Sequence, residues 1–127
     1  MHKFKSIGIV LYDDFNSLDV AGPYQVFYWL RFFLKKQVSI YMIGPKKNSK
    51  VKSREGVKWV CETGYKDVPK DLDIIMIPGG GGPGFEHLLE NKDDKYHDFY
   101  QLVDPPYNSG DPLVASATTL YNVNLQL

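Results

Sequence analysis

The chain has 127 residues with fifteen basic and fifteen acidic side chains, a balance that offers no electrostatic argument for nucleic acid or an anionic membrane surface as a partner. That length corresponds to one domain, residues 1–127, and is long enough to bury a core. The single cysteine, Cys61, excludes an internal disulfide framework and any multi-cysteine zinc site. No apolar run approaches the roughly 20 residues of a membrane span, and the amino terminus has no charged-then-apolar leader pattern, so the expectation is a cytoplasmic protein without a membrane partner. Nine tyrosines and seven phenylalanines fit a packed domain and argue against disorder.

In chain order, Ile7 to Tyr12 (IGIVLY) reads as a first buried strand that ends in the turn residues Asp13 and Asp14. Pro23 suits the first turn of a helix, where its missing N–H has no partner, and the apolar residues Val26, Phe27, Leu30, Phe33 and Leu34 continue at helical spacing to Lys35 and Lys36. The spacing therefore predicts a helix from Pro23 to Lys36 with two lysines at its negative end. Val38 to Ile43 reads as a second strand closed by Gly44 and Pro45. Lys46 to Ser53 reads as an exposed loop or hairpin tip, Val57 to Val60 as a short alternating strand, and residues 61–72 as connection.

The run DIIMIPGGGGPG, Asp73 to Gly84, carries the most information. Ile74 to Ile77 is an apolar run without polar alternation, as in a parallel strand buried on both faces. It stops in five glycines within six positions, where the backbone can approach a bound group closely. Apolar residues from Phe85 to Val103 recur at helical spacing, Pro105, Pro106 and Pro112 break that pattern, and Leu113 to Ala117 reads as a last short strand. The order β, α, β, a small β excursion, β, α, β predicts a doubly wound, mostly parallel α/β sheet. Ligands in such sheets bind beyond the carboxyl ends of the strands, where strand order reverses. Asp13–Asp19, Gly79–Gly82 and Ser116–Thr119 are the segments expected to converge there.

The motifs LDVAGPYQVF (Leu18 to Phe27) and DIIMIPGGGGPG together resemble the DJ-1/PfpI superfamily, the class I glutamine-amidotransferase-like or ThiJ group, from Ile7 to about Asn91. The Leu-Asp-x-x-Gly-Pro form is most similar to the isocyanide hydratase branch and to the ligand domains of AraC-type regulators. The resemblance implies a flavodoxin-like sheet, incomplete here relative to the family, so that residues 1–127 form a single partial domain; on a hydratase-like reading the native product is expected to continue past Leu127, and on a binding-module reading it is expected to be stable at this length. It also implies three site elements. Asp19 is the acidic partner of a nucleophile, the alternative from the residues alone being a helix cap before Pro23. Gly79, Gly80 and Gly81 supply backbone N–H groups that hold a substrate oxygen. The third element, a cysteine on a strand-to-helix elbow, is not matched: Val114-Ala-Ser-Ala-Thr118-Thr-Leu120 puts Thr118 in the cysteine position and Leu120 in place of a turn glycine.

Threonine is a weak nucleophile without a base, and no base is evident, so cysteine-type catalysis is not expected. Cys61 reads as a small, partly buried packing residue. His2, His87 and His97 lack metal spacing, and neither a metal nor another cofactor is expected. Gly79, Gly81 and Gly84 match G-x-G-x-x-G literally, but several registers fit a glycine run by chance, and the match follows a late strand. Two functional classes follow: a hydratase-like or hydrolase-like domain acting on a small electrophilic carbon, without its cysteine, or a non-catalytic module that binds a small molecule or dimerises. The expected partners are a small-molecule ligand and a second copy of the chain.

Overall fold

The computed structural model describes residues 6–35, 37–80 and 113–116. Its elements are β1 (Ser6–Val10), α1 (Ser17–Leu34), β2 (Ser39–Gly44), β3 (Ser49–Lys52), β4 (Lys58–Cys61), β5 (Thr63–Gly64), β6 (Ile74–Ile77) and β7 (Leu113–Ser116), with one turn of 3-10 helix at Tyr65–Asp67. Five strands form one sheet in the order β5-β2-β1-β6-β7, and every pairing in it is parallel. This is the mixed α/β architecture with a mostly parallel central sheet that the strand pattern predicts. The helices expected within residues 85–103 lie outside the described residues.

β1 sits at the centre because its sequence leaves it no solvent-facing side: all five residues are buried. Gly8 lets its neighbours close in, since a Cβ there would stand 2.6 Å from Ile43 Cδ1 and 2.9 Å from Leu72 Cδ1. Ile7, Ile9, Leu11, Ile43, Ile75 and Met76 build the core around it. At the other end of the strand Asp73 locks β6 to β1: Ser6 N–H donates to Asp73 Oδ2 and Asp73 N–H donates to the Ser6 carbonyl, both at 3.0 Å.

Helix α1 starts six residues before the position Pro23 suggests, and Pro23 lies in its interior. The proline has no N–H to donate to the Asp19 carbonyl one turn earlier, which removes one helical hydrogen bond without ending the helix. The buried stripe also differs from the expected one. Phe27 and Val20 face the core, whereas Val26 is 48% and Phe33 73% exposed. Residues 20, 23, 27 and 30 form one stripe at helical spacing and residues 26, 29, 30 and 33 form another, so periodicity alone could not say which faces the sheet. Trp29 makes ring contacts with Tyr28, Phe32 and Phe33 on the outer side. The helix ends at Lys35 in the left-handed region, and the Arg31 guanidinium reaches back to the Val38 carbonyl, fixing the return into β2.

The segment expected to be an exposed loop or hairpin tip contains β3, which pairs antiparallel with β4, so the hairpin alternative holds. The segment expected to be plain connection contains β5, two residues that pair with the end of β2, and the turn carrying buried Tyr65. Both are short and neither has a clear period in sequence, so tertiary pairing defines them. Cys61 is fully buried, not partly so: it packs into the space that Gly44 leaves empty, and a Cβ on Gly44 would collide with the Cys61 sulfur.

The Gly44–Cys61 contact predicts that Gly44→Ala destabilises the fold by about 1–3 kcal/mol through overpacking. Cys61→Ala in the same chain should restore part of that loss, and urea unfolding of the two single variants and the double variant measures the coupling.

Candidate functional site

Beyond Val10 the chain leaves the sheet and turns at Tyr12–Phe15, where Phe15 N–H donates to the Tyr12 carbonyl at 3.3 Å. Asp14 occupies the left-handed region with φ 74°, a conformation that Asp and Asn accept more readily than other side chains. The β3–β4 hairpin grips this turn. Asp14 N–H donates to the Lys52 carbonyl and Arg54 N–H to the Phe15 carbonyl, each at 2.8 Å, and Lys52 N–H donates to Asp13 Oδ1 at 3.1 Å. Phe15 adds an edge-to-face contact with Trp59, ring centroids 5.6 Å apart.

The hairpin also completes the amino terminus of α1. Asn16 stands at the N-cap position, but its side chain does not cap the helix. Ser17 N–H donates instead to Glu55 Oε1 at 2.8 Å, a carboxylate brought to the positive end of the helix from 38 residues away. That backbone hydrogen bond holds the Glu55 carboxyl below its usual range. Asp19 is therefore not the helix cap that the sequence allowed. It sits within the first turn, half-buried, where Asn16 Nδ2 donates to its Oδ2 at 3.3 Å.

Ile77 leads through Pro78 into Gly79 and Gly80, which cross the mouth of this turn. Gly80 forms an antiparallel bridge with Phe15, and Asn16 N–H donates to the Gly79 carbonyl at 2.8 Å. The glycines are needed for this approach. A Cβ on Gly79 would stand 2.8 Å from Asp19 Oδ2, and one on Gly80 would stand 2.5 Å from the Tyr12 hydroxyl and 2.8 Å from the Asp14 carbonyl. Under Gly80 the Tyr12 hydroxyl donates to the Pro78 carbonyl at 2.7 Å. Burial, then the Asp19 carboxylate, then Asp14, oppose a phenolate there, so the Tyr12 hydroxyl keeps its proton well above the ordinary tyrosine range.

Asp19, Gly79 and Gly80 thus meet between the carboxyl ends of β1 and β6. The chain steps from β1 to β2 on one side and later enters β6 on the other, so this gap is where strand order reverses. Ser116 ends β7 in register with Ile77, two residues before Thr118. Gly81, Thr118 and the three histidines lie outside the described residues. Sequence reasoning placed Asn16 in the converging segment Asp13–Asp19 without giving it a role, and missed Tyr12 and Glu55 as site residues. The Asn16-x-x-Asp19 spacing is a helix-start signal that Pro23 obscured, whereas Glu55 had no local signal at all.

A five-stranded parallel sheet with a carboxylate and a glycine turn at its switch point defines a flavodoxin-like α/β domain. The DJ-1/PfpI family model matches residues 5–117, and the chain belongs to the DJ-1/PfpI family. Among curated relatives, the uncharacterized protein SAV1875 of Staphylococcus aureus is 27% identical over 96 residues, covering 75% of this chain and 52% of its own length. SSP0918 of Staphylococcus saprophyticus is 26% identical over 96 residues, covering 75% and 51%. The chain spans about half the length of these relatives. Among solved structures, Schizosaccharomyces pombe DJ-1 superposes with a TM-score of 0.63 at 22% identity, over 96% of this chain and 63% of that one. Drosophila melanogaster DJ-1beta gives 0.66 at 18%, over 94% and 60%. At these identities the likeness to the solved structures establishes the fold. No helix among the described residues is long and apolar enough to cross a membrane.

Two outcomes are expected for Tyr12→Phe. Near neutral pH it should cost about 1–3 kcal/mol, because the Pro78 carbonyl loses its buried donor. Because the folded-state pKa lies above the unfolded value, the hydroxyl's contribution is intact below about pH 10 and is lost as pH rises beyond it. Urea midpoints measured across that range should therefore fall less steeply in Tyr12→Phe than in the wild type.

Proposed function

We propose that the chain binds a small molecule with an electrophilic carbon, an isocyanide or a carbonyl compound, at the carboxyl edge between β1 and β6. The observation that carries this reading is the Asp19 carboxylate standing over Gly79 in a glycine turn with no side chain between them. In it the Gly79 and Gly80 N–H groups donate to the ligand's oxygen or other negative end, and the Asp19 carboxyl group accepts a hydrogen bond from the ligand's N–H or O–H. Gly81 belongs to the same turn in sequence and is assigned to the same donor set. The isocyanide hydratase branch is the nearest chemical analogy: hydration adds water across R–N≡C and gives the formamide R–NH–CHO. Thr118 stands where that branch carries its cysteine, so this chain is proposed to bind such ligands without covalent turnover.

The test uses phenyl isocyanide and its hydration product N-phenylformamide as probes. N-phenylformamide should shift the Gly79 and Gly80 amide resonances of the ¹⁵N-labelled chain. Gly79→Ala, which drives a methyl group at Asp19, should weaken that binding at least tenfold, and phenyl isocyanide should persist unhydrated in the presence of the wild type. Hydration that survives thiol alkylation and disappears in Asp19→Asn would replace the binding reading with a catalytic one.

A homodimer is the second part of the proposal, with α1 as the joining element. Leu18, Trp29, Phe32 and Phe33 are exposed along one helix, a larger apolar surface than scattered residues make. Laid against its own copy about a two-fold axis, the aromatic cluster around Trp29 meets an identical cluster, as an isologous interface requires. Sedimentation should show a dimer that Phe33→Glu converts to monomer, and a monodisperse wild-type monomer would sink the idea.

A further inference from the structure

The glycine turn can serve as a donor site only if its peptide planes are held, because glycine places almost no restriction on its own φ and ψ. Two carbonyls in the turn are held by identifiable groups. The Gly79 carbonyl accepts the Asn16 backbone N–H at 2.8 Å, a bond that any residue at position 16 other than proline could make. The Pro78 carbonyl accepts the Tyr12 hydroxyl at 2.7 Å, a bond that depends on one particular side chain.

A trans peptide is planar, and its C=O and N–H point in opposite directions. The Pro78 carbonyl belongs to the same peptide as the Gly79 N–H. Pinning that carbonyl inward to the buried Tyr12 hydroxyl therefore turns the Gly79 N–H away from Tyr12, at the residue over which Asp19 stands. Tyr12 is itself packed on all sides: it is wholly buried, closely follows the β1 end of the sheet, and has its ring 6.3 Å from that of Phe15. Proline before the peptide contributes a fixed φ, so the remaining rotation of the 78–79 peptide plane is the one this hydroxyl restrains.

We propose that Tyr12 is a positioning residue of the site, whose hydroxyl sets the direction of the Gly79 N–H through the Pro78 carbonyl. The proposal rests on the reading of Gly79 as a ligand-binding donor, and it adds a residue that acts on the ligand through the 78–79 peptide plane. It also accounts for a polar aromatic residue at a core position where phenylalanine would fill the same space. Burial, then Asp19, then Asp14, oppose ionisation of the phenol, so the donor persists across the neutral range.

The experiment compares the full chain with Tyr12→Phe, both ¹⁵N-labelled at glycine and ¹³C-labelled at the proline carbonyl. The expected result without ligand is a changed residual dipolar coupling for the Gly79 N–H and an upfield Pro78 ¹³C′ shift, with the Gly8 and Gly22 couplings unmoved. With N-phenylformamide, the ligand-induced shift of Gly79 should fall at least fivefold. A purely structural hydroxyl would lower the melting temperature and leave the Gly79 coupling where it was, and that result overturns the proposal. Should Tyr12→Phe fail to fold, 3-fluorotyrosine at position 12 supplies a stronger donor in the intact ring. It should move Pro78 ¹³C′ downfield, and an unmoved carbonyl overturns the proposal equally. If Tyr12→Phe reorients Gly79 but N-phenylformamide moves no glycine amide in the wild type, the orienting role stands and the donor-site reading falls.

Discussion

The absence of a side chain at Gly79 and Gly80 is the constraint on which the site depends. With any larger residue there, the turn after β6 could not lie against Asp19, the Tyr12 hydroxyl and the Asp14 carbonyl at once. The backbone takes the place of side chains, so the groups it presents are peptide N–H and C=O dipoles. Their directions become the chemically meaningful variable. That is why a buried tyrosine and a helix-start asparagine, neither of them a conventional reactive group, carry as much of the geometry as Asp19 does.

The surroundings enforce that arrangement from three directions. The sheet places the ends of β1 and β6 side by side through the parallel register Ile7 to Ile74, Gly8 to Ile75 and Ile9 to Met76. The β3–β4 hairpin, which lies outside the main sheet, holds the Asp13–Phe15 turn and supplies Glu55 to the first turn of α1. Helix α1 carries Asp19 at the position where the helix macrodipole favours a carboxylate. A hairpin that sequence alone would dismiss as a surface excursion is thus part of the support of the site.

Family membership and local geometry constrain function differently here. The DJ-1/PfpI assignment covers most of the chain, yet the chain spans about half of its curated relatives' length, so whatever activity a full-length relative has is not transferred with the fold. The arrangement at the switch point stands on the atoms themselves: a half-buried carboxylate, two backbone carbonyls held in place, and a phenol that stays protonated.

Much of the fold was legible in the sequence because buried parallel strands write themselves as unbroken apolar runs; Ile7–Tyr12, Val38–Ile43 and Ile74–Ile77 each contain a strand of the sheet. The pairing of Asp19 with the glycine turn was legible as well, since both follow strands in a doubly wound order. Besides the two-residue strand β5 and the full burial of Cys61, three further things were not. The start of α1 was hidden because proline marks a first turn in most helices and an interior position in this one. The face of α1 that packs was hidden because two apolar stripes share its surface. The partners of the site loop, Tyr12 to Pro78 and Ser17 to Glu55, join residues 66 and 38 positions apart, and only the folded chain brings those hydrogen-bonding groups within reach. Sequence by itself determined the sheet and which segments follow its central strands, because hydrophobic period and glycine content are local properties; the direction of each peptide plane in the glycine turn was decided by tertiary structure, because a peptide plane turns only against what is packed beside it.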